Sequence, residues 1–202
     1  KRNFVDLCFR NGGQIMANTT KRALAAALKK RLTLTTLDKI TIQQLVDDAE
    51  VSRKTFYYHF QDVYDLLEWL LIDEGKRVLE GNTTADTWQK GLGNVLEHLQ
   101  NNRTIILNIF RSVQNDVNYL KVHVTKLILP LMERIFDEQP GHERVAAEDR
   151  EFILKFYSLG VVELVMTWIE SGMKPDAETL MRQINKIFSG SMEITIQRCL
   201  EG

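Results

Sequence analysis

Thr41-Ile42-Gln43-Gln44-Leu45-Val46-Asp47-Asp48-Ala49-Glu50-Val51-Ser52-Arg53-Lys54-Thr55-Phe56-Tyr57-Tyr58-His59-Phe60 decides the fold. Ile42, Leu45, Val46 and Ala49 recur at i, i+3, i+4 and i+7, which gives a short helix a single apolar face. Thr41 followed by Gln44 matches a capping box at its start. Past Glu50 and Val51, Ser52 stands where its hydroxyl can accept from a free N–H of a second helix. Phe56 and Phe60, four apart, share the inner face of that helix. At about 100° per residue, Lys54 and Tyr58 project nearly opposite them, with Thr55 and Tyr57 on the flanks.

Two amphipathic helices around a tight turn, with hydroxyl, cationic and aromatic side chains leading the second, have the layout of a helix-turn-helix DNA reader. The amide dipoles at the start of the second helix, together with Arg53 and Lys54, favour phosphate. Thr and Lys suit base edges or phosphates, and a Tyr hydroxyl suits a phosphate oxygen. The alternative, an aromatic core cluster of Phe56, Tyr57, Tyr58 and Phe60, holds for the two Phe only, since they already fill the inward face.

Residues 49–60, followed by Asp62 and Leu66-Leu67, resemble the DNA-binding domain of TetR-type bacterial transcription regulators. The likeness covers roughly residues 19 to 75; beyond them it is one of architecture. It implies that helix 3 enters the major groove while the N-termini of helices 1 and 2 and the aromatic end of helix 3 grip the backbone. Position by position it assigns Thr20, Lys21, Thr41, Ser52, Arg53, Lys54, Thr55, Tyr57, Tyr58 and His59 to DNA contact. Two residues depart from the family pattern. Glu50 stands where the turn usually has Gly, and a non-Gly residue at positive φ costs on the order of 1 kcal/mol. Val63 stands where a Lys usually meets a phosphate, so affinity and its salt dependence are expected to be shallower than in a typical member. The run Tyr64-Asp65-Leu66-Leu67-Glu68-Trp69 is similar to the dihydroxyacetone kinase operon regulators, a subgroup that implies an alternative role as an activator or co-regulator working through a partner protein.

Outward from this core, helix 1 is expected over residues 21–34, with Leu24, Ala27, Leu28 and Leu32 as its buried stripe, and Asp62 is placed to cap helix 4. The first 16 residues lack a helical period. Residues 1–18 are expected to be a disordered arm that touches DNA through Lys1, Arg2 and Arg10, or else an artefact of gene calling with Met16 the true start. Residues 80–86 are rich in turn and cap residues and form the best linker, which sets a DNA-binding domain at 19–80 and a second domain at 83–202.

Helical periods continue to the end, and strands are nowhere suggested: an all-α chain of about nine helices. Trp88, Leu92, Leu96 and Leu99 mark one helix, and Ile105, Ile106, Ile109 and Phe110 the next. Leu120, Val124, Leu127, Ile128, Leu131 and Ile135 mark a third, with a bend at Pro130. A long helix follows over 147–170, and Asp176 caps a last one reaching towards Leu200. Phe152, Phe156, Leu159, Val162, Val165 and Ile169, with Val161, Leu164 and Trp168 around the circumference, make more apolar surface than one interior needs. The resemblance supplies a partner, because TetR-type proteins pair through their last two long helices. It assigns Gly160, Val161, Leu164, Trp168, Ile184, Ile187 and Phe188 to a homodimer interface and implies a palindromic operator in double-stranded DNA. The effector-binding domain it also implies has Phe110, Tyr119, His123, Phe156, Tyr157 and Met166 as its expected pocket, an apolar cavity with a few polar handles for a small molecule.

Composition sets the outer limits. With 202 residues, 44% hydrophobic and 26% charged, the chain has the chemistry of one large or two small globular domains. A net charge of -1 excludes a uniformly basic nucleic-acid binder, but Lys21-Arg22, Lys29-Lys30-Arg31, Lys39 and Arg53-Lys54 form local cationic groups. Cys8 and Cys199 lack metal or disulfide spacing and are expected as free thiols in a reducing cytoplasm. No apolar run approaches a membrane span. The four His form no i, i+3 or i+4 pair, and no nucleophile elbow, phosphate loop or His-Glu-x-x-His string occurs. No metal, cofactor or catalytic residue is expected. The expected function is that of a homodimeric repressor whose operator affinity changes with an effector.

Overall fold

The computed structural model describes the backbone of residues 4–79, 81–113 and 117–201, and the side chains among them from Asn18 onward except at positions 117–119, 123 and 127. The described residues form helices and loops, with no strand among them. They divide into two compact units, one up to Leu71 and one from Ile72 onward.

The first unit holds α1 (Phe4–Leu32), α2 (Ile42–Asp48), α3 (Arg53–His59) and the first part of α4 (Val63–Leu79). Leu24, Leu28 and Leu32 of α1, Leu45 of α2, Phe56 of α3, and Leu66 and Leu67 of α4 are all fully buried, so the stripe expected of helix 1 is part of this core. α1 starts at Phe4, well before residue 21 where the sequence period begins. Gly12-Gly13 disfavours helix by about 1 kcal/mol per residue, but residues 4–20 hold no proline to stop one. Lys1 and Arg2 of the expected basic arm lie outside the described residues, as do the side chains of Cys8 and Arg10. α1 is tied to α2 by Arg31, whose Nε donates to Asp48 Oδ2 at 2.6 Å and whose Nη2 donates to Oδ1 at 2.8 Å. The guanidinium holds the Asp48 carboxyl below its ordinary value.

The second unit continues from the end of α4 through α5 (Trp88–Asn101), α6 (Arg103–Ser112), α7 (Val117–Asp137), α8 (Ala147–Glu170), α9 (Ala177–Phe188) and α10 (Ser191–Glu201). α8 packs along α7 and α9 against α5. Lys121 of α7 pairs with Glu163 of α8 at 2.6 Å. The segment expected as a linker is pinned instead: the Ala85 N–H donates to Glu138 Oε2 at 2.6 Å, and Arg134 Nη1 donates to Thr83 Oγ1 at 2.9 Å. The division between units accordingly falls inside α4, before this loop. Pro130 lies inside α7 without ending it.

α8 is long and apolar enough to cross a membrane by length and composition, yet 56% of its apolar window is buried inside the protein, as expected of a core helix. The single last helix of the sequence reading is two. Asp176 caps α9 by accepting the Thr179 N–H at 2.8 Å, and the chain then turns at Gly190, whose φ of +71° no helix interior allows. Ser191 Oγ donates to the Phe188 carbonyl at 2.9 Å across the turn.

The Arg31–Asp48 pair predicts a pH signature. A carboxylate held below its unfolded value, about 3.9, adds stability that is fully present above that value and is lost as pH falls through the depressed native one. Asp48→Asn should melt below wild type at pH 7, and the gap between the two Tm values should close below about pH 4. A gap independent of pH from 7 to 2 would show that the pair contributes nothing through its charge.

Candidate nucleic-acid interface

The turn between α2 and α3 is built by caps on both sides. Thr41 Oγ1 accepts the Gln44 N–H at 3.3 Å while Gln44 Oε1 accepts the Thr41 N–H at 2.9 Å, a complete capping box. α2 ends in a Schellman arrangement: the Val51 N–H donates to Val46 O at 2.9 Å and the Glu50 N–H to Asp47 O at 3.3 Å. This closure requires a left-handed residue after the cap, and Glu50 takes that role at φ +54°. Ser52 Oγ then accepts the Thr55 N–H at 3.0 Å and starts α3. Phe56 is fully buried and Phe60, the C-cap, nearly so. Asp62 Oδ1 accepts the Asp65 N–H at 2.9 Å, which begins α4 as the sequence suggests.

What this frame displays is the opposite face of α3. Arg53 and Lys54 are exposed, as are Tyr57 (54%) and Tyr58 (82%). The hydroxyls of Thr41 and Ser52 serve as caps, and Thr55 Oγ1 shares a 2.8 Å hydrogen bond with Ser52 Oγ, so these three hold the reader's shape. Thr20 and Lys21 are half-buried within α1, since that helix begins at Phe4; neither stands at a helix N-terminus. The Lys21 ammonium lies 5.5 Å from the Phe60 ring centroid and 5.8 Å from that of Trp69. His59 is edge-on to Tyr58 at 4.9 Å. Burial first, and the Lys21 charge second, push the His59 imidazole below its ordinary value.

Of the expected pocket residues in the second unit, Phe156 and Tyr157 line one groove, and Phe110 and Met166 are not part of that lining. Phe110, Tyr157 and Met166 are buried, whereas Phe156 is 64% exposed, because consecutive helical residues diverge by about 100°. The Tyr157 hydroxyl donates to Ser191 Oγ at 3.0 Å, an internal tie to α10. The side chains of Tyr119 and His123 lie outside the described residues. The expected dimer residues also separate. Gly160, Leu164, Ile187 and Phe188 line an open apolar groove of about 870 Å³ between α8 and α9, together with Phe156 and Leu159. Val161 and Ile184 are buried at 1% exposure inside the protomer, and Trp168, buried at the groove's edge, donates its indole N–H to the Pro175 carbonyl. Ile194, on the α10 that sequence periodicity merged into α9, adds to the exposed apolar set. Among the described residues no group of three or more His, Cys, Asp or Glu is placed to hold a metal ion.

A capped helix-turn-helix presenting cations and tyrosines, followed by a helical unit with an exposed apolar face, defines a DNA-binding transcription regulator. Residues 86–190 match the TetR-type family described as the transcriptional regulator C-terminal region, and the chain belongs to the TetR family. Regulators of this family bind DNA and typically act as dimers, and they are not enzymes. The chain is 22% identical over 176 residues, 87% of its length and 91% of the relative's, to the HTH-type dhaKLM operon transcriptional activator DhaS of Lactococcus lactis subsp. lactis (strain IL1403). Among solved structures it is similar to a dihydroxyacetone kinase operon activator DhaS (TM-score 0.66, 18% identity, covering 87% of this chain and 97% of that one). It is also similar to the TetR family repressor AlkX from Dietzia sp. strain DQ12-45-1b (TM-score 0.56, 12% identity, 88% and 98% covered). A TetR transcriptional regulator from Streptococcus agalactiae 2603V matches as well (TM-score 0.55, 22% identity, 88% and 98% covered).

The left-handed Glu50 makes the turn itself testable. Glu50→Gly relieves about 1 kcal/mol of backbone strain, offset in part by the freedom glycine adds to the unfolded chain. Urea unfolding should show a net gain of roughly a few tenths of a kcal/mol; a loss of stability would refute the strain.

Proposed function

We propose that the protein is a homodimeric repressor that reads a palindromic operator with two copies of α3 and is released by a small-molecule effector. The observation that carries the dimer is the exposed apolar set on the last helices: Phe152 (70%), Phe156, Leu159 and Leu164 on α8, Ile187 (69%) on α9 and Ile194 on α10. Single exposed apolar residues are ordinary, but a set this dense beside an apolar groove marks an association surface. A second copy, meeting it across a two-fold axis, covers the same residues on both sides. Under this reading Arg53, Lys54, Tyr57 and Tyr58 face the groove and its phosphates, Lys21 and His59 meet the backbone beside them, and Thr20, Thr41, Ser52 and Thr55 support or flank these contacts. The protein then acts in the cytoplasm, where its operator is.

The effector is supported by Ser158 of α8, whose Oγ is buried without a hydrogen-bond partner among the described residues. A small, largely apolar molecule carrying one hydrogen-bonding group suits that position. A second reading, activation through a partner protein, is favoured by the similarity to the Lactococcus protein, a dhaKLM operon transcriptional activator. Footprinting on the DNA upstream of the protein's own gene, combined with transcription in vitro with and without the protein, separates repression from activation.

Two predictions follow from the assembly. Lys54→Ala with Tyr58→Ala should reduce binding of a selected operator fragment to the level of random DNA, while Tm stays within a few degrees of wild type. Unchanged operator affinity in that variant would sink the assignment of α3 as the reader. Ile187→Glu, a charge placed in the exposed apolar set, should yield monomers by light scattering and weaken operator binding at least tenfold. A variant that stays dimeric would locate the interface elsewhere.

A further inference from the structure

We infer that Trp69 is a positioning residue for DNA binding: with Phe60 it forms an aromatic seat that presents the Lys21 ammonium, still charged, to a DNA phosphate. The inference rests on the DNA-binding reading above and assigns a role to a side chain on α4, behind the reader. Three elements of one unit meet here. Lys21 comes from α1, Phe60 caps α3, and Trp69 comes from the first part of α4. The two rings lie 6.2 Å apart at an interplanar angle of 64°, and the ammonium lies within 6 Å of both centroids, the range in which an aromatic face attracts a cation.

The chemistry of the seat differs from that of an ion pair. Arg31, on the same helix, is neutralised by the Asp48 carboxylate. Lys21 forms no ion pair among the described residues; ring faces hold it, and these leave its charge intact and some of its N–H donors free to turn outward. A lysine stem has four bonds to fix when it grips a phosphate, and a seat fixes them before DNA arrives. The backbone has no substitute to offer. Lys21 lies in the interior of α1, where its N–H is committed within the helix, so the side chain alone supplies the contact. The neighbouring His59 imidazole is held below its ordinary value by burial and by the Lys21 charge, so a second cation is disfavoured beside Lys21.

The test uses the full chain and an operator fragment selected by the wild-type protein, with affinity measured by fluorescence anisotropy at several KCl concentrations. Lys21→Ala should reduce the slope of log K against log salt by about 0.9 per protomer, the value of one phosphate contact. Trp69→Leu should move the slope in the same direction and weaken binding several-fold at low salt. Trp69→Phe should retain both, and Trp69→Leu should add little once Lys21 is already Ala. A Trp69→Leu variant that weakens binding equally at every salt concentration, or that adds its full effect to Lys21→Ala, overturns the inference and leaves Trp69 a packing residue. One readout needs no variant to fold. The Lys21 Hε resonances of the free wild-type protein should be shifted upfield by the rings and should move on addition of the fragment; positions near those of a free lysine overturn the seat. A wild-type protein that selects no DNA defeats the DNA-binding reading and this inference with it. Wild-type binding with an unaltered Trp69→Leu slope defeats the inference alone.

Discussion

A helix of seven residues cannot sustain itself in water, and the first unit is organised around holding one. Isolated helices shorter than about 12 to 15 residues are marginal even with favourable composition, so α3 exists because Phe56 anchors it from behind and caps close it at the front. Each device constrains the next. Ser52 can cap α3 only if the chain leaves α2 in the right direction, which the left-handed Glu50 and the Val51-to-Val46 hydrogen bond provide. α2, also seven residues, depends in turn on its capping box and on the Arg31–Asp48 pair that ties it to the long α1. The exposed Tyr58 and Lys54 are therefore carried on a rigid mount, although the element that bears them is among the shortest in the chain.

Charge is distributed by the same logic. With a net charge of -1 the chain has no general attraction to DNA, so individual cations must be placed. Of the cations grouped near the reader, Arg31 is committed to structure by a carboxylate, Arg53 and Lys54 are exposed at the start of α3 with no ion pair among the described residues, and Lys21 rests on aromatic rings. The three treatments have different consequences for a phosphate. A guanidinium in a bidentate pair is unavailable, a free side chain must lose freedom on binding, and a cation on a ring face keeps its charge and loses less.

What was legible in the sequence was local. The capping box at Thr41, the caps at Ser52, Asp62 and Asp176, and the need for a left-handed Glu50 all depend on residues within a few positions of each other, and the structure has each of them. The bounds of α8 followed from a segment nearly free of helix breakers ahead of the Ser171-Gly172 turn. Its orientation did not. A helix apolar around its whole circumference carries no periodic signal for which side faces inward, so Val161 and Leu164 read alike although one is buried and the other exposed. The contacts joining distant segments, Arg31 with Asp48 and Lys21 with Trp69, leave no local pattern. The break between α9 and α10 falls at the left-handed Gly190, and Tyr157 is tied to Ser191 and Thr195 just beyond it. Phe156 and Tyr157 line the same groove, yet one is largely exposed and the other buried, a difference that their adjacency in sequence does not carry.

The two halves of the proposed function depend on each other quantitatively. One α3 offers a few outward groups, and a good base contact contributes about 1–3 kcal/mol of discrimination. Specific regulators discriminate their sites from random DNA by about 4–10 kcal/mol. A single reader with one or two such contacts falls short of most of that range. Two readers joined rigidly add their contacts while losing translational freedom once, so pairing brings the same modest face within it. On this argument the exposed Phe152, Phe156, Leu164 and Ile187 are as much a part of sequence recognition as Lys54 and Tyr58, because without the partner they recruit, the reader's contacts are too few to select a site.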